Sequence, residues 1–150
     1  MRKAVTIALG ALAAAALAGL ALAQAPADVT GAAGPIMSQL AAFRAEDYDT
    51  AYTFASEEIR RIFDRPAFER MVRDAYPEIA RSTSAVVSRT EPAPDGHVYV
   101  AVRIHGANGN RIEALYDMVR EAAGWRINGV VTRPDPGLVL SPLHPGERAG

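Results

Sequence analysis

The stretch ALYDMVREAAGWRINGV, residues 114–130, decides how the second half of the chain folds. It carries a Tyr, two acidic and two Arg side chains, and the chain's single Trp. Apolar and polar residues alternate on both sides of EAAG, the pattern of two strands joined by a tight turn. In such a hairpin every second side chain shares a face. The register therefore settles whether the ionisable groups converge in an interior or meet water.

Working outward, residues 84–90, 97–105, 111–120 and 125–131 read as strands, joined by the turns EPAPDG, GANGN and EAAG. Around GANGN, a register that sets Ile104 against Ile112 also sets Val102 against Ala114, Val100 against Tyr116 and Val98 against Met118. Around EAAG, pairing Met118 with Ile127 continues to Tyr116 with Gly129 and Ala114 with Val131. The two registers agree on one apolar face. It runs through Val98–Ile104 and Ile112–Met118 at alternate positions, then Trp125, Ile127 and Val131. A one-residue slip would invert every side chain, so burial of one face fixes the pairing. His97, Arg103, His105, Glu113, Asp117 and Arg126 then face outward. A cross-strand pair such as Arg103–Glu113 contributes about 0.2–1 kcal/mol to a sheet, which accounts for it without catalysis.

The first half reads as helices. Ile36, Leu40 and Phe43 form one stripe, with Pro35 in the first turn. A short helical stretch follows Asp49. Ser56 caps a third piece, with Glu57 and Glu58 at its positive end. A fourth begins at Asp64-Arg65-Pro66, buries Phe68, Met71, Val72 and Ala75, and stops at Pro77. Its outer surface offers Glu69–Arg73 and Arg70–Asp74 pairs. Helices followed by a meander give an α+β class, with the N-terminal helices packed on one face of a curved antiparallel four-stranded sheet.

The ends differ from this body. Arg2 and Lys3, then the apolar run Ala4 to Leu22 closed by Ala21-Leu22-Ala23, have the layout of a secretory signal peptide over 1–23. An uncleaved anchor is the competing reading, because about 20 apolar residues span a bilayer. Cleavage would leave no stable membrane span and an exported domain, periplasmic or extracellular. It would take the chain from 150 residues and a net charge of −1 to 127 residues and −3, with no Lys remaining. That balance argues against a nucleic-acid partner. Residues 24–34 read as a flexible leader, 35–132 as the domain, and 133–150 as a Pro/Gly-rich extended tail. The chain has no Cys, so it must cohere by packing alone.

The runs FRAEDYDTAYTFAS (43–56), FDRPAFERMVRDAYPEI (63–79) and GWRINGV (124–130) resemble an uncharacterised bacterial family, a domain of unknown function in exported proteins. The order of helices, Tyr-Pro break and final G-W-x-I strand is also similar to the nuclear transport factor two-like (SnoaL-like) superfamily. The resemblance covers about residues 35–132. It implies a cystatin-like or SnoaL-like cone, a curved sheet wrapped around helices with a cavity between them. Some superfamily members are isomerases, dehydratases or hydrolases; others are binding or dimerisation modules. No catalytic position transfers, because the inner sheet face here offers no matching Asp or His.

The chain lacks HExxH, CxxC, GxSxG, Walker and GxGxxG motifs. His97 and His105 are eight residues apart on one strand, too far to share a metal, so no cofactor is expected. The leading expectation is a non-catalytic module that binds an apolar small molecule or a protein partner. The ligand would lie on Val100, Tyr116, Met118, Trp125 and Ile127. The alternative is a small cone-fold enzyme using Tyr116, Tyr52 and Asp47. The polar outer face leaves room for a homodimer.

Overall fold

A computed structural model describes residues 28–138. The signal-peptide reading of 1–23, residues 24–27 of the leader and most of the tail lie outside them. Five helices come first: α1 (Gly34–Arg44), α2 (Tyr48–Thr53), α3 (Glu57–Ile62), α4 (Arg65–Ala75) and α5 (Pro77–Ala80). Four strands follow: β1 (Ser82–Pro92), β2 (Val98–Gly106), β3 (Arg111–Glu121) and β4 (Gly124–Pro134). They form one open antiparallel sheet in the order β1-β2-β3-β4, so the class is α+β. No helix among the described residues is long and apolar enough to cross a membrane.

Local sequence explains the helix starts. Asp47 accepts from the Thr50 amide at 3.0 Å, Ser56 from that of Ile59 at 3.2 Å, and Asp64 from that of Ala67 at 2.8 Å. Each satisfies an orphan donor of a first turn. The short helices α2 and α3 are too brief to be stable alone. They are held from outside, because the segment between them adds to the sheet. The Ile127 amide donates to Phe54 O at 2.9 Å and the Ser56 amide to Ile127 O at 2.8 Å. This covers part of the open edge of β4. On α4 the Glu69–Arg73 pair forms at 3.0 Å, and Arg65 joins Glu69 from the preceding turn.

Inward alternation along β2 and β3 buries Val98, Val100, Val102, Ile104, Ile112, Ala114, Tyr116 and Met118 against the helices. Ile36, Leu40 and Phe43 of α1 meet them from above. Phe43 also stacks on Phe68 at 6.1 Å and tilts against Tyr48 at 5.3 Å. The β2–β3 register has Ile104 opposite Ile112 and Val98 opposite Met118, as expected from the sequence.

The β3–β4 register departs from expectation. It begins with Met118 opposite Ile127, but Asp117 then lies opposite Gly129 and Tyr116 opposite Val130. Asn128 is an extra residue in β4, a bulge. Beyond it every side chain changes face relative to a regular strand. Val130 therefore packs on the core, and Val131, expected inside, is 66% exposed. The same shift corrects the Arg103–Glu113 pair. Although these two are opposed, the bulge brings Arg133 opposite Glu113. The Glu113 carboxylate accepts from Arg133 Nε at 3.0 Å and from a second guanidinium nitrogen. Arg103 lies instead 3.9 Å from Asp135.

Glu113 is only 7% exposed, and two guanidinium N–H groups converging on its Oε1 replace the water it loses. Replacing Arg133 by Ala should lower stability by about 1–3 kcal/mol, the cost of stranding the carboxylate. Adding Glu113→Leu in the same chain should recover most of the loss. Urea unfolding reads both changes, and an Arg133→Ala variant as stable as its parent would contradict the pairing.

Candidate functional site

The sheet and helices do not close completely on each other. A cavity of about 270 Å³ lies between α4, the α2–α3 region and the inner face of β3 and β4. The stripe of α4 supplies Phe68, Met71, Val72 and Ala75; the sheet supplies Tyr116, Ile127, Gly129 and Val130. Gln39 and Phe43 of α1, Ala55, Ile59, Phe63, Tyr76 and Ile79 complete the wall. Ala55, Ala75 and Gly129 are small, which leaves the space unfilled. The floor residues Phe43, Phe68, Val72, Tyr116 and Ile127 are buried. Ile59, Phe63, Met71 and Tyr76 are half-buried and Ala75 is exposed, so the cavity opens to solvent beside α4.

No wall residue is Asp, Glu, His, Lys or Arg. The polar wall groups are few. Gln39 donates from Nε2 to Ala51 O at 3.1 Å, and the Tyr76 hydroxyl donates to Val130 O at 3.3 Å. Tyr116 is different. It is 1% exposed, and its hydroxyl is the one buried side-chain polar atom among the described residues without a hydrogen-bond partner. Such a group carries an uncompensated desolvation cost of about 1–3 kcal/mol. Burial pushes its phenol pKa far up, so the group stays neutral and keeps its proton to donate.

Of the residues expected to hold a ligand, Tyr116 and Ile127 line this cavity. Val100 and Met118 do not; they are fully enclosed in the core beyond it. Trp125 lies outside the cavity too. Its indole donates to Thr30 O at 3.2 Å, and the Arg120 guanidinium sits 5.1 Å from its ring centroid. Trp125 thus ties residues just upstream of α1 to the sheet, and Ala32 is fully buried. Residues upstream of 35 thus pack on the core. The wall that sequence reading assigned to the sheet comes mainly from α4 and its neighbours. Their apolar stripe was legible, but its role as a wall was not.

The alternative catalytic set is not assembled. Asp47 is exposed and occupied with the Thr50 amide and with the Thr50 hydroxyl at 2.7 Å. Those two hydrogen bonds lower its carboxyl pKa. Tyr52 donates to Phe63 O at 2.6 Å and packs on Phe68. Neither lines the cavity that Tyr116 faces.

The polar groups that do gather lie on the opposite face of the sheet. Ser56 donates to Asn128 Oδ1 at 2.8 Å, Asn128 Nδ2 to Asp117 Oδ2 at 3.1 Å, and Asp117 Oδ1 lies 2.6 Å from His97 Nδ1. The Ser56 hydroxyl and the imidazole are at opposite ends of this chain of bonds. It therefore cannot act as a serine nucleophile with its base, which must touch directly. It pins the α2–α3 junction to the bulge. Among the described residues no group of three His, Cys, Asp or Glu converges as a metal site would require.

The Asp117 hydrogen bond holds the His97 pKa above its ordinary value of 6.5, against a smaller opposing effect of burial. A raised imidazole pKa means that the pair's contribution to stability is complete below 6.5 and is lost as pH rises through the folded-state pKa. Proton NMR titration should place His97 above 6.5, and Asp117→Asn should bring it back down. A His97 that titrates identically in both chains would show that no such bond exists.

Comparison with known proteins adds a family and no activity. A family model described as a domain of unknown function, DUF4864, matches residues 28–139, the whole of the helix-and-sheet unit. No curated protein and no solved structure matches. The match spans well over half the chain, so the protein belongs to the DUF4864 family of domains of unknown function.

Proposed function

We propose that this domain binds an uncharged, largely apolar small molecule in the cavity beside α4, without turning it over. The observation that carries the reading is the unpartnered Tyr116 hydroxyl in a wall whose other polar side chains, Gln39 and Tyr76, already have partners. A folded protein tolerates such a group when something else satisfies it. A ligand with one oxygen in hydrogen-bond reach would do so. A charged ligand does not fit, because no wall residue offers a counter-charge and burial of an unpaired charge is prohibitive. Catalysis by acid or base is not part of the reading, since the wall holds no carboxylate, imidazole or amine. The cavity is at the small end of ligand sites, so the molecule is compact.

We further propose that the domain acts outside the cytoplasm, on the layout of residues 1–23. We also propose that its helices-then-meander order reflects kinship with the SnoaL-like cones. Export would place the site where small apolar molecules arrive from the medium or the envelope.

Two substitutions give opposite signals. Tyr116→Phe removes the unsatisfied hydroxyl, so the unliganded protein should become more stable by about 1–3 kcal/mol. The same change should weaken binding of 1-octanol about 5- to 30-fold, as one hydrogen bond is lost. Binding of octane, which has no oxygen, should not weaken. Thermal melts and NMR titrations measure these effects. Loss of stability in unliganded Tyr116→Phe would mean that the hydroxyl already has a partner, and the reading would fail. Ala75→Trp, at the exposed rim, should block both probes while leaving the core intact.

A further inference from the structure

A second cleft, lined by charged as well as apolar side chains and meeting the apolar cavity at Phe43, lies where α1, α4 and the α5–β1 junction meet. Two adjoining hollows of about 370 and 470 Å³ share Arg73, Ala80, Arg81 and Ala107. Their polar wall includes Arg44, the last residue of α1, with Tyr48 and Ser82. Glu46 is the one acidic wall residue; with Glu69, which holds Arg73 from just outside the wall, two carboxylates stand against three arginines, and the cleft keeps a single positive excess.

The donors here outnumber the acceptors. Arg44 donates to Ser82 Oγ at 2.9 Å, but the proton of that buried serine reaches no acceptor among the described residues. The Tyr48 hydroxyl likewise makes no hydrogen bond there. Burial raises its phenol pKa, partly offset by Arg73, so it remains a donor. Arg73 gives Nε to Glu69 at 3.0 Å. Its terminal nitrogen lies 4.0 Å from Glu46, beyond hydrogen-bond reach. The guanidinium of Arg73 is laid over the Tyr48 ring, 4.5 Å from its centroid, which fixes its plane. Arg81 makes no ion pair and no side-chain hydrogen bond among the described residues. Its backbone is nonetheless anchored, since Ala107 donates to Arg81 O at 2.7 Å.

Arg44 and Arg73 stand in the last turns of α1 and α4, where the macrodipole favours a cation. Arg44 and Arg81 are exposed, so water solvates their N–H groups in the free protein and leaves them open to a bound anion. We infer that the cleft binds a phosphoryl group, with Arg44, Arg73 and Arg81 as its cationic wall and the Tyr48 and Ser82 hydroxyls as further donors. A planar carboxylate is satisfied by one bidentate guanidinium. Guanidinium groups arriving from three separate elements, with two hydroxyls, suit a tetrahedral oxyanion. The volume beyond the arginines has room for the organic part of a phosphate monoester as well as for free phosphate.

The test is an amide-shift NMR titration of the full chain with inorganic phosphate and with glycerol 3-phosphate, at ionic strength matched with sodium chloride. Saturable shifts at Arg81, Ser82 and Ala107 below about 10 mM are expected with at least one of the two phosphates, and none with chloride alone. Tighter binding of the ester identifies an organic phosphate as the ligand; equal binding identifies the free ion. Arg81→Gln loses no described side-chain partner and should keep its melting temperature, while phosphate binding weakens at least tenfold, about one charged hydrogen bond. Arg44→Gln should weaken it as well. No saturation with either phosphate, equal shifts with chloride, or undiminished binding by Arg81→Gln would each overturn the assignment.

Discussion

One inserted residue organises the region where sheet and helices meet. Asn128 sits in β4 without a partner in β3, so the strand changes parity at that point. Before it, Trp125 and Ile127 face inward; after it, Val130 does. A regular strand would have turned Val131 into the core and Arg133 away from Glu113. The bulge also re-aims the Asn128 side chain, a common consequence of such insertions. It bridges Asp117 to Ser56, the residue that caps α3. The short helices, the edge of the sheet and the Glu113–Arg133 pair therefore depend on the same local irregularity.

The cavity follows from this arrangement. The α2–α3 segment is fixed to β4 by backbone bonds at Ile127, which sets how far Ile59 and Phe63 stand from the sheet. The aromatic contacts among Phe43, Tyr48, Tyr52 and Phe68 hold α4 against α1 and α2. With both sides set by other contacts, the small side chains between them cannot draw the walls together. Close packing is the norm in protein interiors. A persistent apolar space with an unsatisfied hydroxyl at its wall is a departure from that norm.

Charge is distributed with the opposite logic. Ionised groups are kept off the cavity and placed where they are paired, hydrated or set at helix ends. Glu69 joins Arg65 and Arg73 along α4, and both guanidinium groups also lie over Tyr48. Arg44 and Arg81 complete a positive rim beside the β2–β3 turn. The domain thus presents two chemically distinct concavities: one neutral and greasy beneath α4, the other cationic at the helix C-termini. Phe43 forms part of the wall of each.

The sequence by itself determined the class, the order of elements and the β2–β3 register, because alternation and the need to bury one face leave a single workable pairing. It also determined the cap at Ser56, the start of α4 at Asp64-Arg65-Pro66 and the apolar stripe of α4, since these are local chemistry. Tertiary structure alone decided the parity of β4 past Asn128. A bulge is set by what the extra residue bonds across the sheet and to Ser56, 72 residues away, and no periodicity records that. It also decided which apolar residues are walls and which are core. Val100 and Tyr116 are cross-strand neighbours on one face, yet only Tyr116 borders empty space. That difference arises from the distance at which α4 is held, a sum of contacts with α1, α2 and α5. Hydrophobic patterning specifies that a side chain is buried, and packing specifies against what.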